Sequence, residues 1–504
     1  MAKAALRGRS ALALVGRAGL FSAGLAALRS AIAGAAATRS GVQAPLVGDR
    51  DRVAHLLRRA GFGYSPESLD AFAKLGVNGT VDALLNYQQV PDPIDERLRR
   101  AALDLNKAAD MQRWWLLRMA YTERPLLEKM TLFWHGLLVS GTGKVGVPQP
   151  KPEDPAPPNL MLDQIGSFRD NALADFGTIL KGISRNPAMI VYLDSRDNRK
   201  GKPNENYARE LMELFTLGVS GPGGQPPYSE QDVREVARAF TGWGLDAERK
   251  FLFRENQHDA GAKTIFGKTG NFGGDAVIDL ILEHPACAPY ICRRLFSFFA
   301  YDDPQPGVLA PIVETFRASK GSIRAVVRAI LTSGAFYSER AYRANAKSPA
   351  ELVAGVVRAL QLETDAFTFQ TSTQRMGQTL FNPPNVAGWP GGGSWFNTST
   401  WLERVNWVNR ILTTRKDDHT QPVDVFGIVQ RNALTTPEQA VDYFLGLLLD
   451  GQARAEQRQA LLTYVKEGSL WKAGQTLKET DPAVDRKLRG LVYLIMAMPE
   501  YQLN

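Results

Sequence analysis

The chain has 504 residues, of which 44% are apolar and 22% are charged, within the usual range for globular proteins and enough for one large domain or two ordinary ones. No run of about 18 uninterrupted apolar residues occurs, so the sequence predicts no transmembrane span. The formal net charge is +8, but six of the 60 basic residues lie in residues 1–48, which hold no acidic residue. The remaining 54 basic residues nearly balance the 52 acidic ones, which argues against nucleic-acid binding.

Residues 1–48 have the pattern of an export signal. A basic start precedes an apolar run from Ala18 to Leu28, and Ala35 to Ala37 offers a small-residue cleavage site. The pattern predicts a leader at 1–48 and an exported protein, in the periplasm or outside the cell. Arg17 and Arg29 interrupt the run, so a cytoplasmic protein with an amphipathic leading segment is the alternative.

Residues 49–504 are predicted to form one large helical domain. Ser65 followed by Pro66, and Pro125 further on, have the spacing of helix starts. The helix from Pro125 is expected to run to about Leu138, with His135 near its end, where a histidine is most often structural or capping. Six prolines between residues 148 and 158 predict a long Pro-rich loop at 142–160.

The densest set of polar residues lies between Lys202 and Trp243 and is predicted to form two helices. The first carries Glu205, Arg209 and Glu213 at spacings of four residues, so Arg209 is expected between two carboxylates. Asn206 and Glu210 lie on the same polar face. A second helix is predicted from Ser229, with Asp232 as the acidic partner of a capping box. The polar face is either a solvated, salt-bridged surface or the wall of a cleft.

Beyond Trp243, short β-like runs at 251–259 and 263–267 predict a small β-hairpin, with His258 and Asp259 between them. This His-Asp pair is a simple turn, a ligand, or a base with its orienting acid. The two cysteines, Cys287 and Cys292, are five residues apart on a predicted helix and are expected to be free thiols. The overall expectation is a mainly α, multi-helical array with a small β-hairpin and long Pro/Gly-rich loops.

The loop from Asn382 to Trp395, NPPNVAGWPGGGSW, is a rigid Pro/Gly segment with two tryptophans that is either a packed corner or a binding rim. The chain contains no serine-hydrolase elbow, no HExxH zinc motif and no dinucleotide-binding glycine fingerprint, which removes several common enzyme classes.

Several of these stretches together resemble a bacterial family known as domain of unknown function 1800. They include KMTLFWHG at 129–136, NENYARELMELFTLG at 204–218, YSEQDVREVARAFTGW at 228–243, QHDAGAKTIFG at 257–267 and NPPNVAGWPGGGSW at 382–395. The resemblance implies a mostly helical, often exported bacterial protein without an assigned activity. It also implies an exported partner protein related to sulfatases or phosphatases. The family's tryptophan-histidine motif often carries a second histidine where this chain has Leu137.

Because the polar residues fall inside these motifs, we expect them to converge on one cleft beside the loop at 388–395. In this hypothesis a divalent metal such as zinc is held by ligands that suit it, namely His135, Glu210, Glu213, His258 and Asp259. Glu205, Asn206 and Arg209 would be the catalytic residues, with a carboxylate as general base for a metal-activated water. The predicted function is a metal-dependent hydrolase of an envelope or extracellular polymer. The alternative is a non-catalytic exported protein that binds or assembles with a partner.

Overall fold

The structure is a computed structural model that describes residue 46 and residues 48–149, 158–221, 224–414, 419–467 and 482–504. The predicted leader lies outside the described residues apart from positions 46 and 48. Most of the prolines of the predicted loop at 142–160 also lie outside them. The loop prediction is wrong for its first residues, because residues 142–145 form a short helix.

The first half of the fold is helical. Its helices are α1 (Asp49–Arg59), α2 (Pro66–Ala73), α3 (Gly76–Leu85), α4 (Ile94–Arg100), α5 (Ala108–Tyr121), α6 (Pro125–Leu137), α7 (Thr142–Val145), α8 (Leu160–Asp170), α9 (Phe176–Arg185), α10 (Pro187–Tyr192), α11 (Asn206–Glu210) and α12 (Glu230–Ala239). Helix α11 continues directly into a π-helix, Leu211–Thr216.

The strands follow, as β1 (Trp243–Leu245), β2 (Phe251–Phe253), β3 (Lys263–Ile265) and β4 (Lys268–Gly270). Strand β1 pairs antiparallel with β2, and β3 pairs antiparallel with β4. The prediction of one hairpin is therefore wrong in detail. Each β-like run pairs with its nearest neighbour in the chain, which gives two separate ribbons.

Helices resume after the ribbons. They are α13 (Gly274–Glu283), α14 (Cys287–Phe299), α15 (Pro306–Ala318), α16 (Ile323–Leu331), α17 (Pro349–Ala359), α18 (Phe369–Arg375), α19 (Thr398–Thr413), α20 (Val425–Arg431), α21 (Pro437–Leu449), α22 (Ala455–Lys466) and α23 (Pro482–Met496). The expectation of a mainly α protein is confirmed.

Local signals set many helix starts. Pro66 and Pro125 occupy first-turn positions as predicted, where the missing N–H of proline removes no helical hydrogen bond. At α12, Ser229 accepts a hydrogen bond from the N–H of Asp232, and the Asp232 carboxylate accepts the N–H of Ser229. This reciprocal pair is the predicted capping box.

Most of the buried apolar residues from Val53 to Tyr501 form one large cluster, and Trp401 and Val405 form a second, small one. Within the large cluster, Asp450 joins two buried arginines by ion pairs, Arg58 and Arg343. The Asp450 carboxylate also accepts hydrogen bonds from Tyr64 and Tyr342, each at 2.9 Å. Among the residues that the structure describes, no helix is both long and apolar enough to cross a bilayer.

Candidate functional site

Arg209 forms ion pairs on the protein surface, but one of its predicted partners is wrong. Its guanidinium donates to Glu205 at 3.2 Å and to both carboxylate oxygens of Glu230 at 2.8 and 2.9 Å. The chain enters the π-helix at Leu211, and the wider turn of that helix moves Glu213 away from the helix face that carries Arg209. Arg209 therefore pairs with Glu230 instead of Glu213. Asn206 is exposed beside this ion-pair group. Glu230 raises the pKa of Arg209, as expected of a tightly paired guanidinium.

Glu210 and Glu213 are neighbours, as predicted. Burial raises the pKa of Glu210, and the nearby Glu213 carboxylate adds to that rise. Tyr228 contributes its hydroxyl to Glu213 at 3.5 Å. No histidine joins this pair within the described residues.

His258 and Asp259 are adjacent in sequence but turn to different partners. His258 Nδ1 lies 2.9 Å from the carbonyl oxygen of Thr241. Asp259 instead pairs with Arg238, with 2.7 Å between the Arg238 Nε and the carboxylate, which lowers the pKa of Asp259 to about 2. Asp259 therefore does not orient the imidazole of His258 as an acid-base pair would.

His135 lies on the last turn of α6 and is fully buried. Its ring lies among three aromatic rings, at centroid distances of 5.5 Å from Trp115, 6.1 Å from Phe381 and 5.5 Å from Trp389. Neither ring nitrogen has a hydrogen-bond partner among the described residues. Burial lowers the pKa of His135 to about 3, so the imidazole is neutral at physiological pH.

The expectation that these residues converge on a metal site is wrong for the part of the chain that the structure describes. No group of three or more His, Cys, Asp or Glu side chains there is arranged to hold a metal ion. The predicted residues form separate local clusters, around Arg209, around Glu210, around Asp259 and around His135. The physical reason is that nearby arginines, rather than a shared cation, neutralise two of the predicted carboxylates, Glu205 and Asp259.

The predicted loop does line a cleft, with a volume of about 370 Å³. Helices α6 and α14 contribute Phe133, Gly136, Arg293, Arg294 and Phe298 to its walls, and the start of α17 contributes Ser348 and Glu351. The loop contributes Trp389, Pro390, Gly391, Gly392 and Trp395. The volume falls within the range of about 300–1,000 Å³ that is typical of ligand pockets.

A buried ion pair lies at the floor of this cleft. The Lys129 ammonium pairs with Glu351, and the rings of Phe62 and Phe298 lie 5.4 and 5.2 Å from it. The second carboxylate oxygen of Glu351 accepts the Ser348 N–H at 2.7 Å, which caps α17. Burial alone would raise the pKa of Glu351, but Lys129 and this N–H more than offset it and hold the pKa below its ordinary value.

Two arginines on α14 give one wall of the cleft its charge. Arg293 and Arg294 are both exposed and line the cleft, and neither has a carboxylate partner in the described residues. A third arginine, Arg59, is buried and donates to the carbonyl oxygens of Phe299 and Ala300 at 2.6 and 3.0 Å. Arg59 thereby caps the C-terminus of α14 and fixes the wall that carries the two exposed arginines.

The family model described as "Protein of unknown function (DUF1800)" matches residues 55–503, nearly the whole chain. The chain belongs to this family. Neither a curated protein nor a solved structure matches it. Every residue that lines the cleft lies inside the matched region.

Sequence reasoning identified the tryptophan loop of this DUF1800 protein but missed Arg293, Arg294, Lys129 and Glu351. The adjacent arginines interrupt an otherwise apolar helix, and that interruption was the available signal. Lys129 and Glu351 lie 222 residues apart, so no local pattern could pair them.

Proposed function

We propose that this DUF1800 protein binds a segment of an acidic saccharide in the cleft and does not catalyse its breakdown. The observation that carries the proposal is that Arg293 and Arg294, exposed and without carboxylate partners, line the same cleft as Trp389. Guanidinium groups form strong paired hydrogen bonds with carboxylates and sulfates. The flat face of an indole ring suits the apolar C–H face of a sugar ring.

The charge balance of the cleft favours an anion. Three arginines line it and Lys129 lies beneath, against the two carboxylates of Asp302 and Glu351. Of these carboxylates, Glu351 is already neutralised by Lys129. A ligand of either sign would meet the aromatic walls, but only an anion gains from the excess of positive charge.

A hydrolase is supported less well than a binding protein. General acid catalysis requires a group that can give up a proton close to the ligand. Both oxygens of Glu351 are engaged, and its pKa lies below the ordinary value, so Glu351 is a poor proton donor. Asp302 is the other carboxylate that lines the cleft, and glycoside hydrolysis ordinarily needs two carboxyl groups acting together. The proposal therefore follows the non-catalytic alternative from the sequence, with a saccharide polymer of the envelope or the extracellular space as its ligand.

An extracytoplasmic ligand requires export, so we also propose that the leader at 1–48 directs the chain out of the cytoplasm. N-terminal sequencing of the protein recovered from the periplasm or the medium tests this directly. A mature chain that begins near residue 38 supports it, and an intact leader on a cytoplasmic protein contradicts it. The sulfatase-like or phosphatase-like partner stays a prediction, to be tested by co-purification.

The binding test is calorimetric titration with hexasaccharides of galacturonate and of mannuronate, with neutral maltohexaose for comparison. The acidic probes should bind and maltohexaose should not. Changing Arg293→Gln together with Arg294→Gln should weaken binding at least about tenfold, which corresponds to about 1.4 kcal/mol. Binding should also weaken as salt rises from about 0.01 M to about 1 M, because screening shortens the range of exposed charges.

The matched control is Arg99→Gln together with Arg100→Gln. This pair is also adjacent and exposed, at the end of α4, and does not line the cleft. The control removes the same charge from the protein as the test variant does. Because it changes no residue of the cleft, saccharide binding should stay unchanged. Equal losses in both double variants, or no binding of either acidic probe, would refute the proposal.

A further inference from the structure

His135 is a polar side chain held in an apolar environment. A neutral imidazole carries one N–H donor and one nitrogen acceptor, and neither has a partner among the described residues. The neighbouring Trp115 offers no partner, because its indole N–H donates to Glu128 at 3.0 Å. An unpaired buried donor and acceptor destabilise a fold, whereas an apolar side chain of similar shape would not.

One of the three rings around His135 also belongs to the cleft. Trp389 lines the cleft, whereas Trp115 and Phe381 do not. Gly136, the residue after His135, lines the cleft as well. His135 is therefore in direct contact with one ring of the cleft wall, that of Trp389, and that ring is carried by a loop rather than by a helix.

The loop around Trp389 is fixed at one end and open at the other. Gly388 has a φ of 81°, and a Cβ added there would lie 2.3 Å from the carbonyl oxygen of Gly136, so the loop packs tightly against α6 at that point. Gly391 and Gly392 also have positive φ, but added Cβ atoms would meet nothing within 4 Å. The backbone after Trp389 is thus loosely packed at Gly391 and Gly392, whereas Gly388, before Trp389, is held against α6.

We infer that His135 is a ligand-binding residue that Trp389 covers in the free protein. When a saccharide enters the cleft, the indole of Trp389 shifts away from His135 with its face still against the sugar ring, and His135 forms a hydrogen bond with an uncharged hydroxyl group of the sugar. This inference rests on the proposed function and deepens it. The acidic group of the ligand binds Arg293 and Arg294 on the exposed wall, because an anion buried beside a neutral imidazole would lose its hydration without a compensating charge.

The test separates binding from stability in two variants. His135→Phe keeps an aromatic ring, and His135→Leu replaces it with an apolar side chain of similar volume. Both remove the unpaired polar groups, so at least one should have a melting temperature equal to or above that of the unchanged protein. Both should bind the galacturonate hexasaccharide at least about tenfold more weakly, because the hydrogen bond to the ligand is lost.

His55→Phe is the matched control. His55 is also fully buried among aromatic rings, but its Nε2 lies 3.0 Å from the carbonyl oxygen of Phe336, and it does not line the cleft. This variant should lose stability and keep its affinity. If the His135 variants lose stability and keep full affinity, His135 is structural and the inference is overturned.

A second measurement needs no saccharide. In Trp389→Ala, diethyl pyrocarbonate should modify His135, detected by mass spectrometry of the digested protein, whereas the unchanged protein should be protected there. An unmodified His135 in Trp389→Ala overturns the inference. Loss of binding in the Arg293 and Arg294 double variant, with normal binding in the His135 variants, would overturn this inference alone. No saccharide binding by the unchanged protein would overturn the proposed function and this inference with it.

Discussion

The ion pair at the floor of the cleft makes a quantitative prediction. Lys129 is 1% exposed and pairs with Glu351, whose side chain is 12% exposed. Changing Lys129→Met or Glu351→Gln leaves one charge buried without its partner. Removing one member of a buried pair typically costs about 3–5 kcal/mol of folding free energy. Unit charges about 4 Å apart attract by about 4 kcal/mol at an effective dielectric constant of about 20, which is the same scale.

The double variant, with both Lys129→Met and Glu351→Gln, should be less destabilised than the sum of the single variants. It leaves no unpaired charge, and the glutamine retains an oxygen for the Ser348 N–H. We expect a loss of less than about 2 kcal/mol, since neutral replacements of buried ion pairs are often well tolerated. The coupling energy from the cycle should therefore be about 3 kcal/mol or more.

The assay is urea unfolding, followed by both tryptophan fluorescence and circular dichroism, so that coincident transitions justify the comparison of free energies. Additive losses in the double variant would refute the reasoning. The pH dependence gives a second check. The folded-state pKa of Glu351 lies below its ordinary value, so its contribution is present above about pH 4.3 and is lost as the pH falls through the folded-state pKa. Glu351→Gln should lack this part of the acid sensitivity.

Three further outcomes are expected. Asp450→Asn leaves its two arginines without a carboxylate and should destabilise the protein by about 3–5 kcal/mol, measured by urea unfolding; a change below about 1 kcal/mol would contradict this. Gly388→Ala should lower the melting temperature and weaken saccharide binding, because the new Cβ would meet the Gly136 carbonyl oxygen; unchanged binding would show that the loop position is unimportant. Burial raises the pKa of Cys287 to about 12 and also raises that of Cys292, so neither thiol should react with Ellman's reagent at pH 8 until the protein is unfolded.

Local signals in the sequence predicted local structure well. Pro125 and the pair of Ser229 and Asp232 start helices where expected, because a cap depends on residues within one turn. The same reasoning predicted Glu205 as a partner of Arg209 but failed for the other partner, which is also four residues away. That partner, Glu213, was displaced by the π-helix, and Glu230, 21 residues away in the chain, took its place.

The candidate site depends on contacts that no local pattern encodes. The tryptophan loop could be identified because its prolines and glycines interrupt helix and strand patterns. The cleft that it lines also needs α14, placed by Arg59 through hydrogen bonds to residues about 240 positions away in the chain. The predicted metal site failed for a related reason. The sequence shows which residues could be metal ligands and where they lie along the chain. Tertiary packing decides their partners in space, and it pairs Asp259 with Arg238.

The most direct test of the account is a crystal structure of the protein with the galacturonate hexasaccharide. The account predicts a sugar ring against the indole of Trp389, with a carboxylate of the saccharide within hydrogen-bond distance of Arg293 or Arg294. Displacement of Trp389 with a sugar hydroxyl near His135 would support the further inference as well. Two results would contradict the central claim. One is a saccharide bound elsewhere, such as in the open groove lined by Trp243 and Phe253, and the other is a cleft that stays empty at saturating saccharide.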